Sequence, residues 1–120
     1  MAIDSLIAQE THNWELLAVN DASTDNSLAL LQNYQEQDQR IKIIPLEENK
    51  GQGYARNLAL KKVKGDYVLF LDADDYFAKD AFKQLLIAIE KKPNTEVFVW
   101  GFSIFQERKK KRNDDYFYYP

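Results

Sequence analysis

Three aspartates stand within four positions, directly behind an apolar run, in the segment FLDADDY at residues 70–76. Asp72 and Asp74 are separated by one residue, so on an extended backbone their side chains point the same way. Two carboxylates that converge can share one hard divalent cation, which relieves their mutual repulsion. A cation that also contacts a diphosphate would neutralise a leaving group. The structural alternative is that aspartates at strand ends form turns and caps, and Asp75 precedes a predicted helix.

A second polar segment, EENKGQGYARN at residues 47–57, joins a predicted strand to a predicted helix. Gly51 and Gly53 lack Cβ atoms, so the backbone there can approach a ligand closely. The helix that follows offers free N–H groups at its positive end, and Arg56 on its first turns carries a fork of donors that suits phosphate. Because a glycine pair of this kind is a weak signal, an ordinary loop with a surface arginine is the better explanation when the segment is taken alone.

The composition is that of one ordinary globular domain without sulfur chemistry. The chain has 120 residues, of which 45% are hydrophobic and 13% aromatic, and this is enough for a single core. The lack of cysteine excludes a disulfide framework and a thiolate metal site, and it is compatible with a reducing compartment. No apolar run approaches the ~20 residues that a bilayer requires, and the N-terminus lacks a signal-peptide pattern. We therefore expect a cytoplasmic protein.

The charge is uneven along the chain. The net charge of -3 argues against a general nucleic-acid binder, although residues 108–112 are five consecutive basic residues. Such runs are usually solvated, and the aromatic residues here follow the basic ones instead of interleaving with them. We expect no nucleic-acid partner, and a contact with the cytoplasmic face of a membrane is an alternative role for this run.

Apolar runs typical of strands alternate with helical patterns, as βαβ units require. We predict strands at residues 14–20, 41–46, 67–71 and 97–105. We predict helices at residues 27–37 (with Ser23 or Thr24 as N-cap), 52–64 and 78–92, and the end of a helix at 3–9. This order predicts an α/β sandwich with a mostly parallel sheet, in which ligands bind beyond the carboxyl ends of strands. The clusters at 20–21 and 72–75 both follow strands, so we expect them to share one site.

The segments LLAVNDASTDNSLALL (16–31) and RIKIIPLEENKGQGYARNLALKKVKGDYVLFLDADDYF (40–77) resemble the nucleotide-sugar-binding half of the family 2 glycosyltransferases, which have the GT-A fold. The N-D-A-S-T-D-N-S, G-x-G-x-A-R-N and D-x-D-D elements occur in the family's order and at its usual separations. The resemblance implies a GT-A-like (Rossmann-like) αβα sandwich at residues 1–106, followed by a basic and then aromatic tail at 107–120.

The resemblance also implies roles around the nucleotide. Asp21 would accept a hydrogen bond from the donor's nucleobase, usually uracil. Asn20 stands where many relatives have another aspartate. Arg56, with Gly51 and Gly53 in the preceding loop, would lie near the nucleotide.

The reaction implied by the resemblance is inverting transfer of a sugar from a nucleotide-diphosphate sugar, most often a UDP-sugar, to the hydroxyl of a glycan or lipid-linked acceptor in polysaccharide biosynthesis. Asp74 would be the direct ligand of Mn²⁺ or Mg²⁺ that bridges the diphosphate, and Asp72 would lie nearer the ribose or sugar. Family members carry the catalytic carboxylate in a second half, so we expect the base downstream of Pro120. Asp114 and Asp115 are a weaker alternative.

The family's first strand, which lies inside the sheet of complete members, is missing, so we expect exposed apolar side chains and self-association through the incomplete sheet. One alternative function is a non-catalytic fragment or binding domain with the same fold. A haloacid-dehalogenase-like phosphatase is a weaker alternative, because its D-x-D motif is followed by Thr or Val where Tyr76 stands. The lone histidine, His12, is interpreted as a surface residue.

Overall fold

A computed structural model describes residues 2–99 and 101 of the 120-residue chain. The elements in chain order are α1 (Ala2–Ile7), β1 (Leu16–Asn20), α2 (Ser27–Gln37), β2 (Ile41–Pro45), α3 (Gln52–Leu60) and α4 (Ala81–Lys91). The basic run at 108–112, the pair at 114–115, most of the predicted strand at 97–105 and the predicted domain boundary after residue 106 lie outside the described residues.

The sheet that positions the site is a parallel pair. β1 lies beside β2 in parallel, with Leu16 opposite Ile41 and Asn20 opposite Pro45. The connecting helix α2 contacts both strands, mainly β2, and α3 contacts β1. Ile41 and Ile44 are buried in β2, since β-branched side chains fit the half-buried face of a pleated strand. This arrangement confirms the predicted α/β class and the parallel pairing.

The prediction of a strand at residues 67–71 was wrong. In the described part of the chain, the sheet consists of β1 and β2, and residues 67–71 are assigned to no strand. An apolar run supplies side chains that suit a sheet, but a strand also needs a neighbouring backbone to accept and donate its hydrogen bonds. The side chains of Tyr67, Val68 and Phe70 are 38%, 43% and 53% exposed, which agrees with the expected exposure of apolar groups.

Helix α2 has the predicted bounds but not the predicted cap. It begins at Ser27 after Asn26, whose side chain makes no capping hydrogen bond. Asp25 Oδ1 instead accepts the Ser27 backbone N–H at 2.9 Å, so the prediction of Ser23 or Thr24 as the N-cap was wrong. Hydrogen bonding by the Ser27 side chain, followed by that of the Ser27 backbone N–H, lowers the pKa of Asp25, because it favours the charged carboxylate.

Helix α3 ends at Leu60, four residues before its predicted end. The Lys64 backbone N–H donates to Glu15 Oε1 at 2.8 Å instead of continuing the helix. Glu15 Oε2 also accepts a hydrogen bond from Lys42 Nζ at 2.7 Å. The Lys42 hydrogen bond, followed by that of Lys64, lowers the pKa of Glu15. One carboxylate thus joins the start of β1 to β2 and to the segment that follows α3.

A second cluster lies where the two strands begin. Asp38 accepts hydrogen bonds from the Arg40 guanidinium, the shortest at 2.6 Å, and from the Arg40 backbone N–H at 3.0 Å. These hydrogen bonds lower the pKa of Asp38 to about 2. The guanidinium stacks 3.7 Å from the ring centroid of Trp14 and lies 3.5 Å from Nδ1 of the exposed His12. His12 is therefore a surface residue, as predicted.

The chain divides into two compact units, Met1–Leu85 and Leu86–Pro120. The first unit contains β1, β2, α1 to α3 and every predicted site residue. In the second unit, the described residues include the end of α4 and a turn in which the Thr95 N–H donates to the Lys92 carbonyl at 3.1 Å. Across residues 2–99 and 101, none of the helices combines the length and apolar character needed to cross a membrane.

Candidate functional site

The end of β1 is attached to the loop before α3 through one carboxylate. Asp21 follows the last residue of β1, and its Oδ1 accepts the Lys50 backbone N–H at 2.7 Å. Its Oδ2 accepts the Gly51 backbone N–H at 2.8 Å. The Asn49 side-chain amide donates to the Asp21 carbonyl at 3.3 Å. Asp21 therefore fixes the glycine-bearing loop, a role that the sequence did not indicate.

The backbone on both sides of this contact has positive φ. Gly51 has φ +83°, a conformation that glycine adopts readily and that would strain a residue with a side chain. Ala22 has φ +53° directly after Asp21, a left-handed conformation that costs about 1–2 kcal/mol in an L-residue. Beside both Gly51 and Gly53 the space is open to 4 Å from an added Cβ, which leaves room for a ligand.

Two side chains at the start of α3 bind Asp72, the first aspartate of the acidic residues 72–75. Arg56 Nη2 lies 2.7 Å from Asp72 Oδ1, and Gln52 Nε2 donates to the same oxygen at 3.0 Å. The Arg56 guanidinium carbon also lies 5.2 Å from the ring centroid of Phe70. Because Asp21 holds the loop that leads into this helix, residues 50–56 connect the two aspartates. The predicted residues Asp21, Gly51, Arg56 and Asp72 are thus brought together.

Asp72 and Asp74 do not lie on an extended backbone. Residues 72–75 form a turn in which the Asp75 N–H donates to the Asp72 carbonyl at 3.1 Å. The prediction that strand alternation points both carboxylates the same way was therefore wrong. The physical reason is that aspartate is a strong turn former, and that within residues 2–99 and 101 the preceding segment belongs to no strand that would keep the backbone extended. Asp74 and Asp75 are exposed on this turn.

The acidic turn fits a cation only as part of a larger ligand set. Among the described residues, no group of three or more histidine, aspartate or glutamate side chains is arranged to hold a metal ion. Mg²⁺ at phosphate-transfer sites is usually held by one or two carboxylates together with the substrate's phosphates. Asp74 offers such an exposed carboxylate, whereas Asp72 Oδ1 already accepts from Arg56 and Gln52. The donor set therefore fits a cation that arrives with a diphosphate.

Two further features lie beside these residues. Asn20 is 5% exposed, and among the described residues its Oδ1 is the buried side-chain atom without a hydrogen-bond partner. An open depression of about 490 Å³ lies beyond the end of β2 and is lined by Pro45, Leu46, Glu47, Glu48, Lys50 and Tyr54. Lys50 forms an ion pair with Glu48 at its border.

Gln52 is a site residue that the sequence reasoning missed. Its spacing of four from Arg56 places both side chains on one face of a helix, so the signal was present in the sequence. A glutamine is not a characteristic ligand for metals or phosphates, and that chemistry gave no reason to select it. In the described part of the chain, the carboxylates of Asp21 and Asp72 accept no hydrogen bond from Gly53 or Asp74, and the roles of these two residues stay predictions.

Comparison with known proteins gives this site a family. The chain matches the model of Glycosyl transferase family 2 over residues 1–119. It is 43% identical over 90 residues to a putative teichuronic acid biosynthesis glycosyltransferase, TuaG, of Bacillus subtilis strain 168, covering 74% of this chain and 36% of the relative. It is 40% identical over 95 residues to a teichoic acid poly(glycerol phosphate) polymerase of Staphylococcus epidermidis, covering 78% of this chain and 13% of the relative. The chain therefore spans well under half the length of both relatives.

A solved structure gives the same result at the level of the fold. The crystal structure of S. aureus TarS residues 1–349 in complex with UDP matches with a TM-score of 0.69 and 34% identity, over 75% of this chain and 27% of that 1–349 chain. This likeness confirms the GT-A-like fold that the sequence predicted. Together with the match to the family model along nearly the whole chain, it shows that the chain belongs to glycosyltransferase family 2.

Proposed function

We propose that the residues around the start of α3 form the donor site of a glycosyltransferase that uses a UDP-sugar. The observation that carries this proposal is that Asp21 and Asp72, from two separate segments, are both hydrogen-bonded to residues 50–56. The similar TarS has been crystallised with UDP, which supports the same ligand here. The acceptor would be a glycan or a lipid-linked glycan, in keeping with relatives named for teichuronic and teichoic acid synthesis.

The nucleotide would lie across the open space beside the glycine loop. The guanidinium N–H groups of Arg56 and the free backbone N–H groups at the start of α3 are donors that can bind a diphosphate. Asp21 would accept the nucleobase N–H while it keeps its loop contacts, since an ionised carboxylate has about four lone-pair positions and the loop uses two. The buried Asn20 Oδ1 supports a polar ligand nearby, because buried polar atoms are rarely left without a partner.

The cation would be Mn²⁺ or Mg²⁺, held by Asp74 and the diphosphate, and it would stabilise the departing UDP. Arg56 keeps Asp72 charge-paired before the donor binds and would also contact the phosphates. Inverting transfer needs a base for the acceptor hydroxyl, and none of these side chains is assigned that role. The expectation of a base downstream of Pro120 stays a prediction, as do self-association through the sheet and a contact with a membrane.

The donor-site proposal is tested by thermal unfolding of the 120-residue chain with Mn²⁺, with UDP, and with both. A ligand that binds the folded state raises the unfolding temperature by an amount set by its concentration relative to Kd. We expect a clear rise with both ligands and a much smaller one with either alone, because the diphosphate completes the cation site.

Asp74→Asn is the informative variant, because it keeps the size of the side chain and removes its charge. We expect it to abolish the rise that requires both ligands. Asp66→Asn is the matched control, since Asp66 is exposed and lies outside the site, and it should keep the rise. A wild-type chain that unfolds cooperatively without any shift would contradict the donor site. An equal rise in Asp74→Asn and wild type would contradict the role of Asp74.

A further inference from the structure

The turn at residues 72–75, called the acidic turn, is followed by a segment whose backbone is hydrogen-bonded to two polar side chains from the N-terminal part of the chain. Ser5, in α1, accepts the Phe77 backbone N–H at 2.9 Å through its Oγ. Gln9, just after α1, donates from Nε2 to the Ala78 carbonyl at 2.9 Å. Gln9 Oε1 accepts the Phe82 backbone N–H at 3.1 Å. These contacts join residues that are 69 to 73 positions apart in the sequence.

The Gln9 side chain is fully used by this arrangement. It is 3% exposed, and its amide nitrogen also donates to the Ser5 carbonyl at 2.9 Å. A glutamine amide has two N–H donors and one carbonyl acceptor, and all three are engaged with backbone atoms. The Phe82 N–H belongs to the first turn of α4, where N–H groups have no partner inside the helix. Gln9 thus supplies the cap for α4 from a distant part of the chain.

The acidic turn lies between two anchored points. On one side, Asp72 is held by Arg56 and Gln52 on α3. On the other side, the backbone from residue 77 onward is held by Ser5 and Gln9. Only residues 73–76 lie between the anchors, and the hydrogen bond from the Asp75 N–H to the Asp72 carbonyl restrains them further. The direction of the Asp74 side chain therefore depends on both anchors.

We propose that Ser5 and Gln9 are positioning residues for the acidic turn, and that they hold Asp74 in the orientation that binds a cation–diphosphate complex. This inference rests on the proposed donor site and adds a remote determinant of its affinity. Neither residue touches the ligand. They act by fixing the backbone behind Asp74, so that binding does not have to order the turn.

The test compares Gln9→Glu, Gln9→Met and Ser5→Ala with the wild-type chain. Gln9→Glu keeps the acceptor for Phe82 but loses both donated hydrogen bonds, Gln9→Met keeps the approximate volume without hydrogen bonds, and Ser5→Ala removes only the acceptor for Phe77. Gln35→Glu is the matched control, because Gln35 is exposed on α2 and far from these contacts in the sequence. If a Gln9 variant does not fold, Ser5→Ala provides the milder test.

Two quantities are measured for each variant that folds. The first is the Kd for UDP in saturating Mn²⁺, which we expect to rise about tenfold in the Gln9 variants and less in Ser5→Ala. The second is the rate of hydrogen exchange at the Asp75 and Phe77 amides, measured without ligand. We expect these rates to be higher in the variants than in the wild type, whereas the Lys50 and Gly51 amides should keep wild-type rates. Gln35→Glu should change neither quantity.

The outcomes separate this inference from the donor site itself. Variants that unfold more easily but keep the wild-type Kd would show that Ser5 and Gln9 only support the fold, and would overturn the inference. Wild-type exchange rates at Asp75 and Phe77 in the variants would overturn it as well. Failure of the wild-type chain to bind UDP would contradict the donor site, and the exchange rates would then decide whether the two residues fix the turn.

Discussion

The two aspartates of the site are held in different ways. Asp21 follows a paired strand, and its carboxylate accepts two backbone N–H groups of the glycine loop. Asp72 follows a segment outside the sheet, and its carboxylate is held by the side chains of Arg56 and Gln52. The contacts of Asp21, here called the Asp21 corner, are therefore made with the folded backbone. The contacts of Asp72 with Arg56 and Gln52, here called the Asp72 corner, are made between exposed side chains. Substitutions at the two corners should therefore change different measured quantities.

The largest change in stability is expected at the Asp21 corner. Asp21→Ala leaves the Lys50 and Gly51 N–H groups without their acceptor, and charge-assisted hydrogen bonds of this kind are among the stronger ones. We expect the free energy of unfolding to fall by about 2 kcal/mol. Urea unfolding followed by circular dichroism measures this change, with Asp66→Ala as the control. An unchanged unfolding midpoint would show that Asp21 does not hold the loop.

The Arg56 substitution should show the opposite pattern. Arg56→Met removes an exposed ion pair, so we expect the free energy of unfolding to fall by less than about 1 kcal/mol. The Kd for UDP with Mn²⁺ should nevertheless rise about tenfold, because the diphosphate loses its guanidinium partner. Calorimetric titration measures the affinity, and Lys61→Met, at the exposed end of α3, is the control. A large loss of stability with unchanged affinity would reverse the contrast between the two corners.

The smallest effect is expected from acid, and it should act on the framework. The pKa of Asp38 is lowered from 3.8 to about 2 by its hydrogen bonds to Arg40, so the stabilisation is complete above about pH 4 and is lost as the pH falls toward 2. Asp38→Asn lacks this contribution at every pH. The difference in stability between wild type and variant should therefore shrink across this window in a series of urea titrations, and a constant difference would exclude Asp38 as the titrating group.

Much of the framework could be predicted because local patterns determine it. The bounds of α2 follow from the spacing of Leu28, Leu31 and Tyr34 on one helix face, and the parallel pairing follows from the alternation of strands and helices. The segment 67–71 was mispredicted because an apolar pattern does not reveal whether a backbone partner is present. The left-handed conformation of Ala22 was also not predictable, since alanine does not favour it.

The candidate site was predictable in its residues but not in its contacts. The motifs identified Asp21, Arg56 and Asp72, and the structure brings them together around the start of α3. The contacts of Asp21 with the Lys50 and Gly51 backbone and of Gln9 with residues 78 and 82 connect positions far apart in the sequence. No local spacing encodes such contacts, so they became visible only in the folded chain.

The length of chain between Gln9 and its partners also has a consequence for folding. β1, α2 and β2 lie within 30 consecutive residues, so they can form from contacts of short sequence separation. The Gln9 hydrogen bonds, by contrast, close loops of 69 and 73 residues, and closing long loops costs more chain entropy and is slower. During synthesis, Phe82 must leave the ribosome before Gln9 can bind it. We therefore expect the acidic turn to become ordered last, after the strand pair that carries Asp21 has already formed.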